Sequence, residues 1–251
     1  MPRIRILPDI LSNKIAAGEV VERPAAVVKE LVENAIDAGG RRIVVEIEAG
    51  GRRLIRVADD GAGMDPDDTL LALERYATSK LASDEDLFAI RTLGFRGEAL
   101  PSIASVARLT RCSRSRDADK AWQVEADGGK TSKPAPAAHP QGTTVEVHDL
   151  FYNTPARRRF LRTERTEFGH IEKWVRRLAL SRPDVAFTLT HNRRATFDLA
   201  AAGSDDEQRR RLARLCGDTF AEQSVYFERE SEGKEYRQDE IEILVDVRRL
   251  H

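Results

Sequence analysis

The chain has 251 residues, 41% hydrophobic and 33% charged, with a formal net charge of −1 at neutral pH. That length gives one large domain, or one domain and part of a second, and the charge balance excludes a globally basic nucleic-acid binder, so contact with DNA requires local patches. Cys112 and Cys216 form no CxxC pair. No stretch reads as a signal peptide, and no apolar run nears the roughly 20 residues of a membrane span. A reducing cytoplasm is the expected compartment, and the histidines lack the spacing of a zinc site.

In chain order, an extended apolar start leads to a short helix that Ser12 or Asn13 could cap. Pro24 suits the first turn of a longer helix, which Gly39 and Gly40 end. Strands are predicted at Ile43 to Glu48 and Leu54 to Ala58, joined through Gly50-Gly51. Leu70 to Tyr76 reads as helical, and "TLGFRGEALPSIASV" as a loop entering a short helix. Further strands are predicted at Val106 to Ser113, Ala121 to Ala126 and Thr143 to His148, whereas "TSKPAPAAHPQG" is too proline-rich for regular structure. Glu164 to Ser181 is an amphipathic helix followed by the hairpin "VAFTLTHNRRATFDL". A linker near Ala200 to Ser204 leads to a helix over Asp205 to Cys216, and a last strand is predicted at Ile241 to Val247. Helices among mostly antiparallel hairpins define an α+β sandwich, not a doubly wound parallel sheet.

The chemistry concentrates in four stretches. In "KELVENAIDAGG", Val27, Val28, Leu31, Ala35 and Ile36 mark a buried helix face, while Glu30, Asn34 and Asp37 follow at i, i+4, i+7 on one stripe. That stripe is either a solvated face or a row of oxygen ligands. "VADDGAGMDP" ends a strand in two carboxylates followed by Gly61 and Gly63, and alone it reads as a surface turn. "LGFRGEAL" sets two glycines three apart in a loop of exposed N–H groups, a form that holds phosphate. "QGTTVEV" places a glycine and two hydroxyls at the mouth of a strand. By contrast, "GGKTS" lacks the earlier glycine and the following helix of a P-loop and reads as a β-turn at Asp127-Gly128-Gly129.

In this order the stretches resemble the GHKL (Bergerat) ATPases, the superfamily of DNA gyrase B, heat-shock chaperones, histidine kinases and MutL. "KIAAGEVVERPAAVVKELVENAIDAG", "YATSK", "GFRGEAL" and "DLFYNTPARRRFL" are similar to the MutL family of DNA mismatch repair proteins, from about Ile4 to about Cys216. The resemblance implies a mixed, mostly antiparallel sheet with helices on one face, binding ATP and Mg²⁺. It makes Glu30 the general base and Asn34 the Mg²⁺ ligand. Asp59 would accept from the adenine amino group, with Gly63 giving access to the base and Thr143 supporting Asp59. Thr78, Lys80, Gly94, Phe95, Arg96 and Gly97 would close over the phosphates. Glu33 and Asp37 are left as solvated or structural. Many members carry Asn where Asp60 stands, so a more negative rim is expected.

The resemblance also implies ATP-driven dimerisation with a second copy, a mismatch-recognition partner (MutS), a downstream repair nuclease or helicase, and weak nonspecific DNA binding. No membrane contact is implied; the protein would be cytoplasmic and at the nucleoid during repair. DNA-contact candidates are Arg157, Arg158, Arg159, Arg162, Arg176 and Arg177, in "PARRRFLR" and "KWVRR". Residues 1–200 are read as the ATPase domain and 201–251 as a linker plus the truncated start of a ribosomal-S5-like domain. Without that domain's lysine, hydrolysis is expected to be slow. An alternative reading is a hydrolysis-deficient module that binds ATP and DNA.

Overall fold

The computed structural model describes residues 17–18, 20–75, 77–78 and 97–223. The expected Ser12 or Asn13 cap and the strand at 241–247 lie outside them.

Helix α1 (Pro24–Asp37) has proline at its first turn and no side-chain cap at Arg23. It ends in a glycine pair, Gly39 N–H bonding to Ile36 O (2.9 Å) and Gly40 N–H to Ala35 O (3.0 Å). What holds it is packing. Val27, Val28, Leu31, Val32, Ala35 and Ile36 are buried, and each large aliphatic side chain contributes about 1.5–3 kcal/mol, against about 1 kcal/mol for a cap.

Strands β1 (Arg42–Glu48) and β2 (Leu54–Asp59) pair antiparallel across a 3-10 turn at Ala49–Gly51. Then come α2 (Pro66–Leu71), α3 (Ala99–Val106), β3 (Arg108–Arg114), β4 (Ala121–Asp127), β5 (Lys130–Thr131), β6 (Ala135–Ala137) and β7 (Gly142–His148). The remainder is α4 (Pro155–Phe160), α5 (Glu164–Ser181), β8 (Ala186–His191), β9 (Arg194–Leu199), α6 (Asp205–Cys216) and α7 (Asp218–Gln223). The sheet order is β5-β4-β3-β7-β2-β1-β8-β9, with β6 on β4; among the described residues only β1–β8 is parallel. Ile43, Val45, Ile47, Ile55, Val57, Leu109, Val147, Phe187 and Leu189 alternate inward into the core. The opposite face carries a ladder in which Arg56 lies 3.2 Å from both Glu46 and Glu146. This is the α+β architecture with helices gathered on one face.

Two local expectations need correction. The helix expected at Leu70 to Tyr76 lies earlier, because Asp65 caps it by accepting from Asp68 N–H (2.8 Å) and Pro66 occupies its first turn. The proline-rich stretch supplies the short strand Ala135–Ala137 and the last residue of Lys130–Thr131, both strands pairing with β4. Pro136 is tolerated at a sheet edge, where a missing N–H breaks no ladder. The Gly128-Gly129 turn stands as expected, both residues at positive φ.

Helix α6 begins with a capping box, Ser204 and Glu207, and is pinned to the rest by two arginines. Arg211, 5% exposed, donates to the carbonyls of Ala179 (3.0 and 2.9 Å), Arg182 (3.3 Å) and Ala200. Arg176 donates to Leu215 O at 2.8 Å. Arg211→Ala strands those buried carbonyls, each worth about 1–3 kcal/mol. We expect about 3 kcal/mol loss in a urea melt and faster proteolysis within α6; a variant as stable as the parent would contradict this clamp.

Candidate nucleotide site

Strand β2 ends at Asp59 in the interior of the sheet, with Ile43 of β1 and Thr143 of β7 as its partners across the two ladders. Its carboxylate accepts from the backbone N–H of Gly61 at 2.9 Å and from that of Thr143. Burial raises the carboxyl from the ordinary 3.8 to about 6; the two N–H bonds oppose this and neighbouring Asp60 adds to it. A carboxylate kept partly desolvated on two donors has acceptor capacity left for a third.

The surrounding backbone is tight. A Cβ at Gly142 (φ +115) would run into the Asp59 carbonyl, and one at Gly63 (φ +68) into that of Arg114. Gly63 therefore answers to its own protein neighbour, whatever it also permits a base to do. Ser113, absent from the sequence reading, ties these loops together. Its hydroxyl accepts from Met64 N–H (2.9 Å), donates to Gly142 O (3.1 Å) and lies 2.9 Å from Thr143 Oγ1. Nothing in a lone serine at a strand end signals this; only the β3–β7 register, Ser113 opposite Thr143, reveals it.

Asp60 is engaged elsewhere than the expected rim. Its Oδ1 accepts from Arg41 N–H (2.7 Å) and Arg42 N–H (2.8 Å), which caps the entry to β1. The Asp-Asp pair thus divides: one carboxylate for the pocket, one for the backbone.

The C-terminal end of α1 closes the same pocket, with Ala62 N–H bonding to Ala38 O at 2.9 Å. Glu30 and Asn34, both half-buried, lie on the stripe running back from that end. Glu30 is about 12 Å up the axis from Ala38 at 1.5 Å per residue. Of the two readings left open for Glu33, solvated or structural, the fold takes the second. Glu33 is 7% exposed, 3.7 Å from Lys29, whose ammonium lies 5.5 Å from the Trp174 ring centroid on α5. Burial raises its carboxyl from 4.5 to about 7, Lys29 opposing and Glu30 and Asp37 adding.

Gly97 packs against the backbone of Ala77, the neighbour of Thr78. A Cβ at Gly97 (φ +62) would lie 2.6 Å from Ala77 O, and Arg75 pairs with Glu98 at 3.3 Å. Lys80, Gly94, Phe95 and Arg96 lie outside the described residues. Among the described residues no three His, Cys, Asp or Glu side chains converge as a metal site. An ion here would take most ligands from water and phosphate beside the hard oxygen of Asn34, a set that fits magnesium.

The arginine candidates separate. Arg158, Arg159, Arg162 and Arg177 are exposed. Arg157 turns inward, its guanidinium against Gly18 and its Nη1 buried. Arg176 is bound to Glu172 (2.7 Å) and Leu215. No helix among the described residues is long and apolar enough to cross a membrane.

This fold and site define a nucleotide-binding class, and residues 22–150 match the family described as histidine kinase-, DNA gyrase B-, and HSP90-like ATPase. The DNA mismatch repair protein MutL of Pseudomonas fluorescens is 56% identical over 232 residues, 92% of this chain and 37% of that protein. That of Pseudomonas aeruginosa is 57% identical over 233 residues, with the same shares. The solved Aquifex aeolicus MutL ATPase domain complexed with ADP is 34% identical, with a TM-score of 0.63 over 78% of this chain and 69% of that one. The chain belongs to the MutL family, and spans little more than a third of the length of the curated relatives it matches.

Proposed function

We propose that the chain binds ATP over Asp59 and hydrolyses it, as the nucleotide-operated part of a DNA mismatch repair protein. The observation that carries this is the Asp59 carboxylate, half-buried on two backbone donors among loops drawn together by Ser113. Adenine's exocyclic amino group supplies the missing donor. Guanine presents an oxygen at that position, which a carboxylate repels.

From there the phosphates run along the α1 stripe. Glu30 orients a water and accepts its proton as it attacks the terminal phosphorus; a base so placed contributes about 10²–10⁴-fold. Asn34 would hold Mg²⁺, which would supply neutralisation of phosphate charge. Thr78, Lys80 and the backbone of 94–97 close over the phosphates and exclude water. Gly63 lets the pocket backbone approach the base, and Thr143 holds Asp59 in place.

In the intact protein, closure orders the N-terminal segment and drives dimerisation with a second copy, an order–disorder switch. Its partners are a mismatch-recognition protein and a downstream nuclease or helicase, and its compartment is the cytoplasm. Residues 1–200 act as the ATPase domain and 201–251 lead into the second domain. Exposed arginines of α4 and α5 contact DNA phosphates. Calorimetric titration with ATP and GTP, each with Mg²⁺, tests the assignment: ATP binds and GTP does not, and equal affinity would remove Asp59 as the reader of the base.

A further inference from the structure

Phe160, the last residue of α4, is 82% exposed, and among the described residues only Leu71 is another exposed large hydrophobic. It does not stand in an apolar surround. Arg158, Arg159, Arg162 and Arg165 are all exposed beside it, within eight residues of chain. Among the described residues none of these four guanidinium groups is paired with a carboxylate. Some other arginines are tied to carboxylates, Arg108 to Asp149 (2.7 Å), Arg176 to Glu172 (2.7 Å) and Arg182 to Asp184 (2.8 Å), so what marks this patch is four exposed guanidinium groups clustered around an exposed aromatic ring.

The helix itself is fixed from behind. Arg157 is turned onto Gly18, and Glu167, 1% exposed, accepts from Arg162 N–H at 2.8 Å, which anchors the α4–α5 junction. The outward side chains therefore project from a held backbone. An exposed aromatic ring among unpaired cations has the chemistry of a single-strand site, with phosphates on the guanidinium groups and one unstacked base on the ring. A duplex keeps its bases stacked inside and offers the ring no face, while its phosphates still meet the arginines.

Resting on the reading that this patch contacts DNA, we propose that Phe160 is a base-stacking residue that makes the α4 surface select single-stranded over duplex nucleic acid. Charge complementarity decides for nucleic acid over a protein partner: an apolar partner surface would have to desolvate four unpaired guanidinium groups to reach one ring.

The test uses the 251-residue chain and one labelled mixed-sequence oligonucleotide, single-stranded or annealed to its complement, followed by anisotropy over a salt series. Phe160→Ala should weaken single-strand binding roughly ten-fold, the loss of one stacked base, and leave duplex binding unchanged. Phe160→Trp should retain the preference. Arg158→Ala with Arg159→Ala should flatten the salt slope on both probes, whereas Arg157→Ala should not. Equal single-strand affinity for Phe160→Ala and parent overturns the proposal, and so does a loss equal on both probes. If the double arginine variant leaves both slopes intact, the DNA reading of this patch fails as well. Because Phe160 is solvent-exposed, an unchanged thermal melt serves to show that its replacement has not disturbed the fold.

Discussion

Glu30→Ala is expected to lower ATP turnover by about 10²–10⁴-fold while leaving ATP affinity nearly unchanged. Glu30 sits in the middle of α1, where alanine is the best helix former, so the substitution should keep the helix. Asn34→Ala, one turn on, should instead lose the Mg²⁺-dependent part of nucleotide binding. The rival base is Glu33, whose carboxyl is raised to about 7 and by acidity alone would suit proton abstraction at neutral pH. Geometry argues the other way. Glu33 is engaged with Lys29, and Lys29 lies over Trp174 of α5, whereas Asp59 adjoins the far end of α1. Single-turnover rates for Glu30→Ala and Glu33→Gln, with calorimetric affinities, separate the two. Collapse in Glu33→Gln with activity retained in Glu30→Ala would reverse the assignment.

Asp59→Asn should make the nucleotide-free chain more stable and a poorer binder at once. Burial holds the Asp59 carboxyl near 6 in the folded state against 3.8, so protonation favours the fold. That contribution is complete below about pH 3.8 and lost as pH rises through 6. At neutral pH the retained charge therefore costs about 3 kcal/mol, which the amide avoids. We expect melting to rise by several degrees at pH 7 and the gain to vanish below about pH 4. Affinity for ATP should fall roughly 10–100-fold. With its oxygen kept on Gly61 N–H, the asparagine turns an N–H toward adenine's own N–H, and a charge-assisted bond is lost. Scanning calorimetry across pH, beside an ATP titration, reads both effects. A lower melting point at pH 7, or unchanged affinity, would refute the trade between stability and binding.

What could be read without coordinates depended on how local its cause was. The helices Glu164–Ser181 and Asp205–Cys216 were legible to the residue because Thr163 and Ser204 cap them through nearby backbone N–H groups. The β8–β9 hairpin was visible as alternation on either side of Asn192-Arg193, both at positive φ. Asp59, Gly63 and Thr143 could be grouped only through the resemblance, and the fold puts them together. Hidden were the contacts set by register or by the approach of distant segments. Ser113 against Thr143 depends on strand pairing, Asp60 on the entry to β1, and Arg157 on Gly18, well over a hundred residues earlier. Glu33 shows the limit of periodicity: the spacing leaves a charged residue on an amphipathic helix as solvated or structural, and only the fold shows it buried beside Lys29.

The parallel β1–β8 ladder has a consequence for biosynthesis. β1 acquires its second neighbour only when β8, some 140 residues later, joins it. At ribosomal rates of about 5–20 residues per second, that wait is on the order of 7–30 s. Throughout it the β1–β2 hairpin presents one unpaired row of N–H and C=O groups, the kind of edge on which chains aggregate. The strand carries its own protection in Arg42, Glu46 and Glu48, charges that interrupt Ile43, Val44, Val45 and Ile47. The same delay governs the α1 helix, whose Trp174-bearing neighbour also arrives late. A nascent chain thus carries Asp59, Gly63 and Thr143 before it has α5, the helix whose Trp174 lies against Lys29 of α1.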